Sequence, residues 1–271
     1  MTPVTLRSVH DVASLAAVAD YFSDVWQTPR TAPPFPAELL HSLVHAGGAV
    51  HAAYTDGRLA GAAVAVFGPD RQTYSLVAAA ERGLGRQVKQ AQRAWALERG
   101  ARTMRWTFDP LVGRNARFNL VKLGAVGTEY LVDFYGPMSD GVNSGDESDR
   151  LTVTWDLTAP ENGEHPHDPD DPDAPDDPAV RAGAPVVATA PDGGPLAHRD
   201  GDRRVWCRVP DDIVKLRAAD PVLALRWRYA VREVFTGAFA QGFTATGMSR
   251  DGWYTLTRTP GSARNAEGNA V

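Results

Sequence analysis

The fold is decided by the segment Glu81-Arg-Gly-Leu-Gly-Arg-Gln-Val-Lys-Gln90, in which two glycines follow an apolar, strand-like run and open a helix. Glycine lets a backbone approach an anion closely, and the first N–H groups of a helix have no partner inside it. Basic residues recur at helical spacing on one stripe of this helix, namely Arg82, Arg86, Lys89 and Arg93. Cations in a first turn oppose the helix dipole unless an anion lies there. The segment predicts an anion-binding helix start; the alternative is an ordinary glycine turn with solvated arginines.

The chain after this helix alternates between strands and helices. The pattern predicts a strand at Thr103–Phe108, a helix at Asn115–Leu123 that ends at Gly124, and a further strand at Glu129–Tyr135. Strands that alternate with helices indicate an α/β protein.

Upstream of the glycine segment, the sequence predicts two helices and a hairpin. Val12–Trp26 and Phe35–His45 have the spacing of amphipathic helices. Ala49–Tyr54 and Leu59–Phe67 flank Asp56-Gly57, a strong hairpin signal. We therefore predict an α/β (α+β) fold with a mixed, mainly antiparallel sheet flanked by helices.

The second half of the chain predicts a C-terminal strand–helix–strand extension. Pro185–Thr189 and Arg204–Val209 are predicted as strands, and Pro221–Phe239 as a helix with a broad apolar face. Phe243–Thr246 and Trp253–Thr257 form the last predicted strand pair.

Composition changes along the chain predict its domain boundaries. We predict a core at 1–157, a disordered acidic linker rich in Pro and Asp at 158–180, an extension at 181–258 packed on the core, and a disordered tail at 259–271. Residues 161–178 contain eight of the 33 acidic residues and no basic ones. The remainder therefore has 25 acidic against 28 basic residues, a net charge of +3 where the whole chain has −5. This weak bias alone does not predict nucleic-acid binding.

The chain is predicted to be cytoplasmic and to have no membrane partner. A single cysteine excludes an internal disulfide and fits a reducing compartment. Met1–Arg7 lacks a signal-peptide pattern, and charges interrupt every apolar run before the roughly 18 residues that a membrane span needs.

Several side chains that could suggest chemistry are predicted to be structural. His51 and Cys207 lie in apolar strand-like runs, so we expect a satisfied core histidine and a packed thiol. Trp227 lies on the apolar face of its helix, which favours a core tryptophan with solvated Arg226 and Arg228 over a base-stacking surface.

Three motifs carry a resemblance to a known family: Arg105–Leu111, Arg114–Leu120 and Ser148–Leu151. With the order of strand, glycine loop, helix and strand, they make residues 1–157 resemble the GNAT superfamily of N-acyltransferases. The similarity is greatest to a bacterial subfamily that includes amino-acid N-succinyltransferase-like proteins. Further motifs of that subfamily are matched by Val209–Ile213, Leu223–Arg228 and Asp251–Tyr254.

The resemblance implies an acyltransferase that forms an amide. The acyl group would move from an acyl-CoA, acetyl or succinyl, to the amine of a small molecule or amino acid by direct attack, without a metal. No nucleophile–base triad is evident in the sequence, so no covalent acyl-enzyme is expected. In this architecture two parallel strands separate and hold the donor; here they lie near 74–79 and 103–108. The implied donor-binding residues are Arg82, Gly83, Leu84, Gly85, Arg86 and Asn115.

The candidate proton-handling or catalytic residues are Asp109, Asp133, Tyr135 and Ser75. Each has a structural alternative. Asp109 could cap the turn before Pro110, Asp133 could be a solvated strand position, and Tyr135 could line the core with its hydroxyl bonded. Ser75 could simply be packed, and Asn115 is equally explained as a helix N-cap.

Three departures from the family pattern leave other functions open. Ala80 replaces a hydrogen-bonding side chain at the start of the loop, Leu120 replaces a tyrosine acid, and Tyr74-Ser75-Leu76 replaces the subfamily's histidines. One alternative is an amide-forming transferase whose donor is aminoacyl-tRNA, with the basic stripe meeting tRNA phosphates. The other is a degenerate GNAT-fold binding protein without catalysis. The sequence assigns no oligomeric state.

Overall fold

The computed structural model describes residues 3–138, 140–141, 146–160 and 178–258. Most of the predicted acidic linker and all of the predicted tail lie outside these residues. The chain divides into two compact units, of which the first comprises Met1–Trp106, Ser139–Ser144 and Thr154–Ala159, and the second Thr107–Met138, Gly145–Val153 and Pro160–Val271. The predicted domain bounds stay a prediction.

The first unit is built on a sheet with helices against it. Its elements are β1 (Val4–Val9), α1 (Val12–Trp26), α2 (Ala37–His45), β2 (Ala49–Thr55), β3 (Arg58–Phe67), β4 (Gln72–Ala80), α3 (Gly85–Glu98) and most of β5 (Thr103–Phe108). The strands follow each other in the order β1-β2-β3-β4-β5. Neighbours from β1 to β4 are antiparallel, and β4 pairs with β5 in parallel.

Alternation along β2 directs neighbouring residues to opposite faces of this sheet. Val50 and Ala52 belong to the core cluster that includes Leu15, Val18 and Phe22 of α1. The next position along β2, Ala53, packs instead with α3 through Val88. The sheet of the first unit is therefore covered by α1 on one face and by α3 on the other.

A glycine sets how closely α3 approaches the sheet. A Cβ atom at Gly61 of β3 would lie 3.1 Å from the Ala80 Cβ and 3.2 Å from the Val88 Cγ2. Because such distances are tighter than ordinary packing, a larger residue here would push Ala80 or Val88 away by a few tenths of an ångström.

The second unit holds a sheet with a long helix against it. It contains the end of β5, α4 (Gly113–Arg117), a π-helical turn (Phe118–Lys122), β6 (Val126–Leu131), most of β7 (Arg150–Asp156), α5 (Pro178–Gly183), β8 (Val186–Thr189), β9 (Pro195–Asp200), β10 (Arg204–Arg208), α6 (Ile213–Ala219), α7 (Pro221–Ala240), β11 (Phe243–Met248) and β12 (Trp253–Arg258). The strand order is β7-β6-β11-β12-β10-β9-β8. The pairings from β6 to β8 are antiparallel, and α7 buries Trp227, Val231 and Phe235.

The predicted fold class, a mixed and mainly antiparallel sheet flanked by helices, is confirmed. Several predicted elements were incomplete or wrong. The extension has additional elements, β9, α5 and α6, that the sequence pattern did not indicate. The predicted strand Glu129–Tyr135 ends at Leu131, because the chain turns at Asp133, whose φ is +44°.

Candidate active site

The parallel strands β4 and β5 separate after a short pairing. The pairing involves only three residues of β4, namely Gln72, Thr73 and Tyr74. The last pair joins Tyr74 to Arg105 of β5. From Ser75 onward β4 continues along β3, with a shift of register beside Ser75. Bulges of this kind are frequent next to active sites. We call the point of separation, with Ser75 on β4 and Trp106 on β5, the fork.

A lysine side chain from α3 reaches the fork. Lys89 is only 4% exposed, and its Nζ donates a hydrogen bond of 2.9 Å to the Ser75 Oγ. The same Nζ lies 3.8 Å from the centre of the Trp106 ring. Burial lowers the pKa of Lys89 to about 7. Lys89 thus contacts the first residue beyond the pairing on both strands, as an amine that titrates near neutral pH.

Gln92 of α3 adds a second hydrogen bond to Ser75. The Ser75 hydroxyl donates to the Gln92 Oε1 at 3.0 Å, and the Gln92 side chain is fully buried. The Gln92 Nε2 has no hydrogen-bond acceptor among the residues that the structure describes. A buried donor without a partner is unfavourable, so the cluster of Ser75, Lys89 and Gln92 can accept a further polar group.

The glycine loop leads from β4 directly into α3. Gly83 has φ of +94°, and no atom lies within 4 Å of where its Cβ would be, so the loop leaves open space there. Arg82 and Arg86 are exposed. The Glu81 carboxylate at the start of this loop is paired with Arg58 at 2.5 Å and 2.9 Å, which lowers the Glu81 pKa. Its charge beside the loop is therefore compensated.

Asp109 lies in the second unit, inside a buried ion-pair network. Its carboxylate accepts two hydrogen bonds from Arg228, at 2.7 Å and 3.0 Å, and one of 3.1 Å from Arg217. Burial would raise the Asp109 pKa, but the charge and hydrogen bonds of Arg228 lower it overall. Asp146 binds the same two arginines. Because its carboxylate is held by cations, Asp109 is poorly suited to accept a proton.

Asp133 and Tyr135 occupy the exposed turn after β6 in the same unit. The Asp133 carboxylate accepts hydrogen bonds of 3.1 Å from the Ser148 N–H and hydroxyl. The Tyr135 ring is 51% exposed, lies over the Arg150 guanidinium, and has its hydroxyl 3.4 Å from that of Thr107. Both side chains remain available to solvent.

Asn115 and Leu120 differ in their surroundings. Asn115 is exposed and lies within α4, which begins at Gly113, so it is not the residue that caps this helix. Leu120 is 3% exposed and lies in the π-helical turn. Of the predicted site residues, Ser75 and the glycine loop belong to the first unit, whereas Asp109, Asn115, Asp133 and Tyr135 belong to the second. Ser75 is joined there to Lys89, which was not predicted as a site residue.

Lys89 was predicted to share one basic stripe with Arg82, Arg86 and Arg93 at an anion-binding helix start, but the structure buries it. The buried residues of α3 are Val88, Lys89, Gln92, Trp95 and Ala96. Their spacing of three and four residues is that of a core-facing stripe, so the helical periodicity already placed Lys89 and Gln92 inside. Arg228, which was predicted to be solvated, is fully buried beside Trp227, whereas Arg226 is exposed as predicted.

The other side chains predicted to be structural are buried. Cys207 is fully buried, and burial raises the pKa of its thiol. His51 contacts Ser8 at 3.3 Å, and burial together with Arg99 lowers its pKa to about 4. Within the described ranges, no group of three or more His, Cys, Asp and Glu side chains could hold a metal ion. None of the described helices has both the length and the apolar character needed to cross a bilayer.

No protein-family model matches the chain, and no curated protein matches it. Among solved structures, an N-acetyltransferase from Staphylococcus aureus Mu50 is 16% identical, with a TM-score of 0.47 over 58% of this chain and 99% of that one. The protein yncA from Salmonella typhimurium, solved with its cofactor acetyl-CoA, is 19% identical, with a TM-score of 0.46 over 59% and 96%. An acetyltransferase of the GNAT family from Streptococcus pneumoniae is 12% identical, with a TM-score of 0.45 over 56% and 98%. The solved structures to which this chain is similar thus include acetyltransferases, and each similarity covers less than three fifths of its length.

Proposed function

We propose that the protein is an acyl-CoA-dependent N-acyltransferase that acylates a small-molecule amine by direct attack. The observation that carries this proposal is the course of β4. Within nine residues, this strand separates from β5 at the fork and then enters the glycine loop that opens α3. In acyl-CoA, the thioester arm is joined to a pyrophosphate. The fork offers a place for the thioester arm, and the start of α3, which follows the same strand, offers a place for the pyrophosphate.

The chemistry needs three events that these residues can support. The acceptor ammonium loses a proton, its nitrogen attacks the thioester carbonyl, and the thiol leaving group receives a proton. Backbone groups of β4 beyond Tyr74 that point away from β3 can hydrogen-bond the donor and its carbonyl. Holding donor and amine together in the right geometry can remove roughly 7–11 kcal/mol of the barrier.

For the donor phosphates, we propose the N–H groups of Gly83 and Gly85 at the start of α3, assisted by the side chains of Arg82 and Arg86. Leu84 is left out because its N–H donates to the Glu81 carbonyl oxygen at 3.0 Å. Asn115 stays a proposed donor contact. For the acceptor proton, we propose Tyr135 or Asp133, since both are exposed. Asp109 is left out of this path because Arg228 holds its carboxylate.

Titration calorimetry with acetyl-CoA and succinyl-CoA tests the donor site. We expect Gly83→Val to abolish binding, because a branched side chain would fill the open space at the loop. Gly57→Val is the matched control: Gly57 also has positive φ, +74°, and no atom within 4 Å of its Cβ position. Equal binding by both variants would show that the loop is only a turn.

Arginine variants test the phosphate contacts separately. Arg82→Ala and Arg86→Ala should each weaken binding of the CoA donor roughly fivefold or more, because charge-assisted bonds to phosphate would be lost. Arg114→Ala, which removes an exposed arginine from the second unit, should leave binding unchanged. Unaltered affinity in both loop variants would remove the arginines from the site.

Aminoacyl-tRNA stays the alternative donor, since Arg82 and Arg86 are exposed and could meet a nucleic-acid backbone. Binding of tRNA would fall steeply with salt, roughly tenfold per tenfold rise in salt concentration for each phosphate contact. Acyl-CoA binding would depend on salt more weakly. Turnover with either donor and a panel of amines would exclude the third reading, a degenerate binding protein.

A further inference from the structure

Lys89 lies where a donor arm inserted at the fork would end. Its Nζ contacts Ser75 of β4 at 2.9 Å and the Trp106 ring of β5 at 3.8 Å. In the described part of the chain, no carboxylate forms an ion pair with this amine. A buried lysine without an acidic partner is costly, so its place at the fork calls for an explanation other than packing.

We propose that Lys89 is the general acid of the transfer reaction and gives its Nζ proton to the leaving sulfur of the acyl donor. This inference rests on the proposed function and deepens it, since it names the group that completes departure of the thiol. Ser75 and Gln92 are positioning residues, because the Ser75 hydroxyl accepts from Lys89 and donates to the Gln92 Oε1.

The transfer forms one bond to the thioester carbon and breaks another. The nitrogen of the acceptor amine forms a bond to the thioester carbon, and the bond between that carbon and sulfur breaks. The sulfur takes the electron pair of that bond and the proton of the Lys89 ammonium, leaving as a free thiol. The acceptor nitrogen gives up one proton as an ammonium before it attacks, and the second proton, which it loses after attack, passes to solvent. Neutral Lys89 recovers a proton from solvent before the next cycle.

The acidities of the two groups suit this transfer. A thiol of the cysteine type has a pKa of about 8.5, whereas burial lowers that of Lys89 to about 7. A proton therefore moves downhill from the lysine to a thiolate, and a large fraction of the lysine still carries its proton at neutral pH. An ordinary exposed lysine, with its pKa near 10.4, would hold the proton too tightly.

The groups packed against Lys89 do not titrate near neutral pH. They are the Ser75 hydroxyl from β4 and the Trp106 ring from β5. On its own helix, Arg86 and Arg93 lie one turn away in sequence, and the Arg93 guanidinium bonds the carbonyl oxygens of Leu157 and Ala159. Titration near pH 7 at the fork is therefore assigned to Lys89.

The test varies the leaving group. Wild type, Lys89→Met and Lys89→Arg are each assayed with acetyl-CoA and with the acetyl thioester of a nitrophenyl thiol, whose leaving group needs no proton. We expect both variants to lose about 10²- to 10⁴-fold in kcat with acetyl-CoA and less than tenfold with the aryl thioester. Arginine keeps the charge but cannot give up its proton, so Lys89→Arg separates proton transfer from electrostatics. Lys122→Met, at an exposed lysine, is the control.

Two readouts do not depend on turnover. In protein labelled with ¹³C at lysine Cε, one resonance should titrate near pH 7 and be missing from Lys89→Met. Calorimetry should show that Lys89→Met still binds acetyl-CoA. A wild-type protein that binds no acyl-CoA would overturn the proposed function together with this inference. The wild type could instead bind and turn over acetyl-CoA while the variants lose the same factor in kcat with both donors. That result would overturn the role of Lys89 alone. Acetylation of Lys89, detected by mass spectrometry, would likewise make it a nucleophile and not an acid.

Discussion

At the residue scale, two buried cations show how surroundings decide the state of a charge. Arg228 is enclosed by Asp109 and Asp146; burial would lower its pKa, but the two carboxylates raise it above its usual value. Lys89 meets a hydroxyl and an aromatic ring, and burial lowers its pKa to about 7. The first cation is fixed in its charged form, whereas the second can exchange a proton at neutral pH.

The pH dependence of stability tests the burial of Lys89. Between pH 7 and 10.5 the unfolded chain holds the proton and the folded chain does not, so stability rises with pH there. Lys89→Met should therefore be more stable than wild type, by at most about 5 kcal/mol below pH 7, with a margin that shrinks as pH rises toward 10. Urea unfolding at several pH values measures this margin, with Lys122→Met as the control. A margin independent of pH would contradict the lowered pKa.

The ion-pair network predicts the opposite response at Arg228. Arg228→Met should destabilise the protein by about 3–5 kcal/mol, because Asp109 and Asp146 would keep buried charges with one arginine fewer. Arg226→Met, on the exposed face of the same helix, should change stability by less than about 0.5 kcal/mol. Thermal or urea unfolding compares the two, and similar values for both variants would show that the network contributes little.

At the element scale, the contact between β3 and α3 positions the start of the proposed donor site. Gly61→Ala adds a methyl group 3.1 Å from the Ala80 Cβ and 3.2 Å from the Val88 Cγ2, so Ala80 or Val88 must move by a few tenths of an ångström. We expect a loss of about 1–3 kcal/mol in stability and weaker binding of acyl-CoA. Gly237→Ala in α7, where no atom lies within 4 Å of the Cβ position, should instead be neutral or stabilising. Unchanged donor affinity in Gly61→Ala would separate this contact from the site.

Local signals explain which elements sequence analysis identified. The bounds of α1, Val12–Trp26, were predicted in full, since Asp11 caps the helix and the apolar spacing is regular. The hairpin was also predicted, from the Asp56-Gly57 pair. Such turns need positive φ, which Gly57 has in the structure. The π-helical turn Phe118–Lys122 was missed, since its residues have ordinary helical character and its altered hydrogen bonding has no sequence signature.

The candidate site was predicted only in part, for a physical reason. Ser75 and the glycine loop were identified from residue type and order. Lys89 and Gln92 were overlooked because polar residues are usually assigned to the surface, although their helical spacing matches that of Trp95. The confinement of Asp109 by Arg228, 119 residues later in the chain, depends on tertiary structure that no local pattern reports.

At the scale of the whole molecule, charge separates the two proposed donors. The net charge of −5 arises from a concentration of acidic residues at 161–178, and the rest of the chain carries +3. Such a small excess favours a compact anionic ligand over a long nucleic-acid backbone. We expect the affinity for acetyl-CoA to fall less than about tenfold between 50 and 200 mM salt. If tRNA binds and its affinity falls about 10³-fold or more over this range, the alternative donor is favoured.

The most direct measurement is a crystal structure of the protein with a stable acyl-CoA thioether. We predict that the thioether arm lies between β4 and β5, with its sulfur in hydrogen-bond reach of the Lys89 Nζ. We also predict that the pyrophosphate lies against the N–H groups of Gly83 and Gly85. A structure in which the analogue binds elsewhere, while Lys89 still contacts Trp106 at the fork, would contradict the proposed donor site and the role of Lys89.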